Sequence, residues 1–139
     1  MNQEYVNAIL AAWNEGDMDG LDQYVDINTV RKSSVYVSSS ANNLAELKQV
    51  IANMRVSFPD TKVTIDDIFF QNDRSFSRWT FEGTNTGPGD FPPTGKVVKI
   101  EGCSFSRYQN GKLVEELVYF DAMDMLVQLG LVQKPSNAG

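Results

Sequence analysis

The chain contains no histidine. That absence excludes Ser-His-Asp and Cys-His nucleophile systems and removes every imidazole metal ligand. Acid–base chemistry must therefore run on carboxylates, tyrosines, lysines or arginines. Cys103 stands alone, so neither an intrachain disulfide nor a thiolate zinc cluster can form. Basic charge is scarce, with 12 Lys and Arg against 18 Asp and Glu and a net charge of −6. The basic residues are scattered, which argues against the footprint that nucleic acid phosphates require. No apolar run approaches the ~20 residues of a membrane-spanning helix. The opening MNQEYVNAILAAWNEGD lacks the basic start and cleavage site of a secretory signal, so a cytoplasmic protein is expected. No Gly-rich phosphate loop precedes a helix, and GPGDFPPTG at 87–95 has prolines where backbone donors would be needed. The expectation is a protein without metal or cofactor.

What is present suits one globular domain over residues 1–139, with 133–139 as a frayed tail. Val6, Ile9, Leu10 and Trp13 recur at helical spacing, and Gly16 reads as the residue past that helix. Asp17 is expected to cap a second short helix carrying Leu21, Tyr24 and Val25. DINTVRKSSVYVSSS is mixed; its Val35/Val37 alternation fits a short strand or an ordered loop. Asn43 should cap a further helix with Leu44, Leu47, Val50, Ile51 and Met54 on one face, stopped by FPD.

From residue 61 the period shortens to alternation. TKVTIDDIFFQ, SFSRWTFEGTNT, KVVKIEGCSFSRYQ and KLVEELVYFD read as four strands. QND at 71–73 and QNG at 109–111 are hairpin turns, and 87–95 is a longer, stiff connection. After Asp121 a last helix runs to about Leu129, with Gly130 at its stop. Helices followed by a meander predict an α+β domain whose helices cover one face of a curved, mostly antiparallel sheet. Such a concavity suits a small apolar ligand. Between 97 and 108 one parity is Val98, Ile100, Gly102, Ser104 and Ser106, where three small residues in succession leave room on one face. The other parity, Val97, Lys99, Glu101, Cys103, Phe105 and Arg107, suits solvent or a partner subunit.

AAWNEGDMDGLDQYV, FPDTKVTIDDIFFQNDRSFSRWTFEGTNTG, PPTGKVVKIEGCSFSRYQNGKLVEELVYFD and QLGL, in this order, resemble the SnoaL-like polyketide cyclase family. That family lies within the cone-shaped α+β barrel superfamily of nuclear transport factor two and ketosteroid isomerase. The resemblance implies a cone-like half-barrel roofed by three or four helices, with an internal cavity. It implies a cyclase or isomerase acting on a small apolar oxygenated compound, without cofactor or metal, as in an intramolecular aldol closure. The family's acid–base aspartate falls on Asp121. Two departures stand out: family members often carry His where this chain has Asn85, and a polar group such as His near Glu116.

Asp121 has a second reading as an N-cap of the last helix, accepting from residue 123 or 124. Tyr119 and Leu117 share its strand parity, so Tyr119 is the candidate to polarise a developing oxyanion. Trp79, with Ser77 and Phe81 on its face, could wall the pocket. Trp13, Arg31, Asn85, Ser104 and Leu117 complete the expected substrate contacts. Asp66 and Asp67 should face opposite ways, toward solvent for preference. Arg78 and Arg107 are expected to pair with Glu82, Glu101 or Glu116. Two alternatives remain: an epoxide hydrolase using Arg31 between two aspartates, or a non-catalytic ligand-binding or dimerisation module. A homodimer is expected through Val97, Cys103, Phe105, Val118 and Phe120.

Overall fold

The computed structural model describes residues 3–33 and 39–133. Helix α1 (Gln3–Glu15) buries Tyr5, Val6 and Ala12, and half-buries Ile9, Leu10 and Trp13 along the same stripe. It ends at Gly16, whose φ of 75° only a residue without Cβ adopts cheaply. Helix α2 is a single turn, Leu21–Tyr24, shorter than expected. Gly20 occupies its N-cap position; Asp17 instead accepts the Asp19 N–H at 3.1 Å within the preceding loop. Val25, expected on the helix, opens strand β1 (Val25–Ser33). The mixed segment is therefore largely strand, and its Val35/Val37 pair lies outside the described residues.

Helix α3 (Leu44–Ser57) starts where expected: Asn43 Oδ1 accepts the Glu46 N–H at 2.8 Å, and Glu46 reaches back to the Asn42 N–H. Four strands follow as a meander: β2 (Lys62–Gln71), β3 (Arg74–Thr84), β4 (Val97–Gln109) and β5 (Lys112–Phe120). Positive φ at Asn72, Asn110 and Gly111 closes the two tight hairpins. Helix α4 (Ala122–Gln128) follows β5, and Gly130 (φ 76°) marks its end.

The sheet order is β1-β5-β4-β3-β2, an open, curved, mixed sheet. Its β2–β5 pairs are antiparallel as expected, while β1 adds parallel to β5 at one edge. A bulge between Ile65 and Asp67 corrects a second expectation. It lets Ile65 and Ile68 both turn inward, so Asp66 and Asp67 are both exposed instead of opposed. Asp67 pairs with Arg78 at 2.8 Å and Asp66 accepts from Thr80 at 2.7 Å. Residues 134–139, most of the expected tail, lie outside the described residues. Among those described, no helix is long and apolar enough to cross a membrane.

Two apolar clusters form under the helices. One gathers Tyr5, Leu21, Leu47, Ile51, Tyr108 and Leu113; the other gathers Phe58, Phe81, Val98, Ile100, Met125 and Leu129.

Candidate active site

Between these clusters lies a pocket of about 450 Å³. On β4 it is lined by Ile100, Ser104, Ser106 and Tyr108, the parity that carries the small residues. Part of the room they leave is already taken. A Cβ on Gly102 would lie 2.4 Å from two ring carbons of Trp79, so the glycine makes space for the indole. Trp79 Nε1 then donates to Ser104 Oγ at 3.0 Å, which fixes the ring as one wall. Ser75, Ser77 and Phe81 share its inward parity on β3.

Strand β5 turns the other way from expectation. Glu116, Val118 and Phe120 face the pocket, whereas Leu117 is turned outward and Tyr119 is 45% exposed. Both parities of this strand are rich in apolar residues, so alternation alone could not choose between them. Neither Tyr119 nor Asp121 lines the pocket. Asp121 is exposed, lies past the strand end, and caps α4 by accepting the Asp124 N–H at 2.9 Å. The outward set expected for a partner loses Val118, which is 1% exposed, and Phe120, which lines the pocket.

Two carboxylates and one cation line the pocket among the described residues: Glu116, Asp90 and Arg31. Arg31 on β1 is the direct register partner of Glu116 on β5, and its Nη1 donates to Glu116 Oε1 in a close ion pair. Arg31 Nε donates to the Ser39 carbonyl at 2.9 Å, and its guanidinium lies 5.6 Å from the Trp13 ring centroid. The cation is thus held on three sides, which leaves Glu116 in one orientation.

Beside this pair is a cluster of hydroxyls. Tyr108 Oη lies 2.7 Å from Ser75 Oγ, and Tyr5 and Ser106 line the pocket with them. The Tyr5 and Tyr108 rings meet edge to face at 5.4 Å. Burial raises the Tyr5 hydroxyl well above the usual tyrosine range, with Tyr108 and Glu116 adding to the shift. Burial raises Tyr108 too, and hydrogen bonds from Ser75, Tyr5 and Ser106 partly offset it. Both phenols stay protonated at neutral pH and can act as donors.

Of the residues assigned substrate contacts, Trp13, Arg31, Trp79, Phe81 and Ser104 line the pocket; Leu117 and Asn85 do not. Asn85 is 1% exposed and spends its amide on the neighbouring backbone. Sequence reasoning did not place Tyr5, Tyr108 or Glu116 in the pocket, which all three line. Glu116 had left a signal: Glu115 and Glu116 are adjacent on a strand, so one of them must face inward. Arg78 and Arg107 pair with Asp67, Glu101 and Glu115 outside.

Helices laid over one face of an open curved sheet, with a pocket between, define the ketosteroid isomerase-like class of α+β protein. The sequence profile described as SnoaL-like polyketide cyclase matches residues 3–129, and the chain belongs to that family. No match is found among curated proteins. TsrD from Streptomyces laurentii superposes with a TM-score of 0.83 at 22% identity, covering 94% of this chain and 95% of that one. IdmH from Streptomyces antibioticus, a proposed polyketide cyclase, gives 0.76 at 24% identity, covering 92% and 97%. A Catenulispora acidiphila protein with a ketosteroid isomerase-like fold, in complex with trimethylamine, gives 0.78 at 15% identity, covering 97% and 100%.

Proposed function

We propose that this protein is a cofactor-independent cyclase or isomerase acting on a small apolar oxygenated compound, with Glu116 as its general base. The observation that carries this is the pairing of one orientated carboxylate with a hydroxyl cluster in a pocket that is otherwise largely apolar. Glu116 removes a proton alpha to a ligand carbonyl, and the enolate oxygen takes hydrogen bonds from the tyrosine cluster. In a cyclase the enolate carbon then attacks a second carbonyl of the same molecule, forming the C–C bond. The new alkoxide recovers the proton from Glu116. In an isomerase the proton returns to a different carbon. Family membership supports the cyclase reading.

Arg31 has one carboxylate partner among the described residues, Glu116, whereas epoxide opening between two aspartates would need a second. That difference favours enolate chemistry over an epoxide hydrolase. The test is a screen of apolar diketones, enones and epoxides, followed by Glu116→Gln on whatever turns over. A Gln variant that keeps full rate would sink the assignment.

The working unit is proposed to be a homodimer. Phe69, Phe76, Phe105 and Leu117 are register partners in one row across β2 to β5. Phe69 and Phe105 are 65% and 51% exposed, an apolar row that a second copy would cover. Phe105→Glu should convert the dimer to monomer in light scattering; a wild-type protein already monomeric at micromolar concentration would rule the dimer out.

A further inference from the structure

We propose that Asn85 is a positioning residue that holds the 87–95 loop, and with it Phe91, over the apolar side of the pocket, and so limits the length of ligand admitted. This rests on the reading of the pocket as a ligand site. Asn85 follows the last residue of β3 and does not itself touch the pocket. Its side chain makes four hydrogen bonds, all to the loop and its anchor. Oδ1 accepts from Thr94 N at 2.9 Å and Thr94 Oγ1 at 3.0 Å. Nδ2 donates to the Ser57 carbonyl at 3.2 Å and, more weakly, to the Gly87 carbonyl at 3.4 Å. One buried amide therefore ties both ends of the loop to each other and to the end of α3.

The backbone reinforces the tie. Asn85 N donates to Lys96 O at 2.9 Å, and Gly95 N donates to Asn85 O at 2.8 Å. At the other end Ser57 Oγ donates to Pro88 O at 2.8 Å. The loop is pressed against α3 so closely that a Cβ on Gly87 would lie 1.7 Å from Val56 O. Between the anchors Pro88, Gly89, Asp90 and Phe91 line the pocket, and Phe91 packs on the cluster of Phe58, Phe81 and Met125. The loop has no regular structure of its own, so these side-chain and backbone ties set its position. A side chain with a donor and an acceptor side by side is what the site demands; an apolar one leaves buried backbone groups unpaired.

The experiment uses neutral alkyl phenyl ketones of increasing chain length, with binding read from quenching of Trp13 and Trp79. In the wild type each added methylene tightens binding about threefold to fourfold until the chain meets Phe91, after which affinity falls. Asn85→Ala and Phe91→Ala should both move the cut-off to longer ketones. A folded Asn85→Ala protein with the wild-type length profile would overturn the proposal. Thr94→Val keeps the backbone contact, so it should shift the cut-off less. If Asn85→Ala fails to fold, Phe91→Ala and Thr94→Val carry the test: an unmoved cut-off in both overturns it. If no ketone binds the wild type, the ligand-site reading fails and the length limit with it. Amide exchange still reads the staple alone: Thr94 and Gly95 should exchange faster in Asn85→Ala while β4 and β5 do not.

Discussion

Arg31 and Glu116 stand directly opposite each other across the parallel β1–β5 pair and close an ion pair inside the pocket, although 85 positions separate them in the chain. Their side chains are only 12% and 19% exposed, so this is not the solvent-screened bridge whose worth averages about 0–1 kcal/mol.

Glu116→Gln keeps the volume and a hydrogen-bond acceptor for Arg31 but cannot take a proton. Turnover of an identified substrate should fall by about 10²–10⁴-fold. Stability should fall by about 1–3 kcal/mol, because a charge-assisted bond to a shielded guanidinium is lost. Urea denaturation and steady-state kinetics on one preparation check both figures. A rate loss without a stability loss would mean that the pair contributes little to folding.

Asp121 should behave in the opposite way. As an exposed cap its replacement by Asn, nearly as good an N-cap, costs a few tenths of a kcal/mol, and by Ala about 1 kcal/mol. Both variants should retain full turnover. A rate loss of a hundredfold in Asp121→Asn would return the base to the end of β5.

Stability should respond to alkali through Tyr5. Its folded-state value is raised above the ordinary tyrosine value of about 10, so the native state holds its proton longer than the unfolded chain does. The associated stability is fully present below pH ~10 and is lost as the pH rises through the folded-state value. Urea midpoints should therefore drop above pH ~10, and the drop should be shallower in Tyr5→Phe. Equal slopes in the two proteins would assign the alkaline loss to other groups.

The meander, its turns and the Asn43-capped helix were legible because each rests on local rules. Alternation, a positive-φ Gly111 and a side chain reaching the Glu46 N–H are all decided within a few residues. β1 was not, because VDINTVRKS has no clean alternation and is held by a partner far along the chain. The inward parity of β5 was hidden by apolar residues on both faces: Leu117 and Tyr119 outside, Val118 and Phe120 inside. Asp121 carried two readings, and the geometry found is that of the N-cap. Strand parity stops at Phe120, and the turn into α4 aims the next carboxylate at a backbone N–H. The Ile65/Asp67 bulge left no local mark at all.

The place of β1 in the sheet also has a kinetic side. β2 to β5 are successive neighbours and can zip from their hairpins, whereas β1 must cross to the far edge and wait for β5 to exist. Closing so long a loop early is entropically unfavourable, so the Arg31–Glu116 contact is expected to form late in folding. Arg31→Met should accelerate unfolding and leave the refolding limb of a chevron plot nearly unchanged. On this expectation the carboxylate acquires its guanidinium only when the rest of the sheet is built, and loses it first when the edge strand lifts.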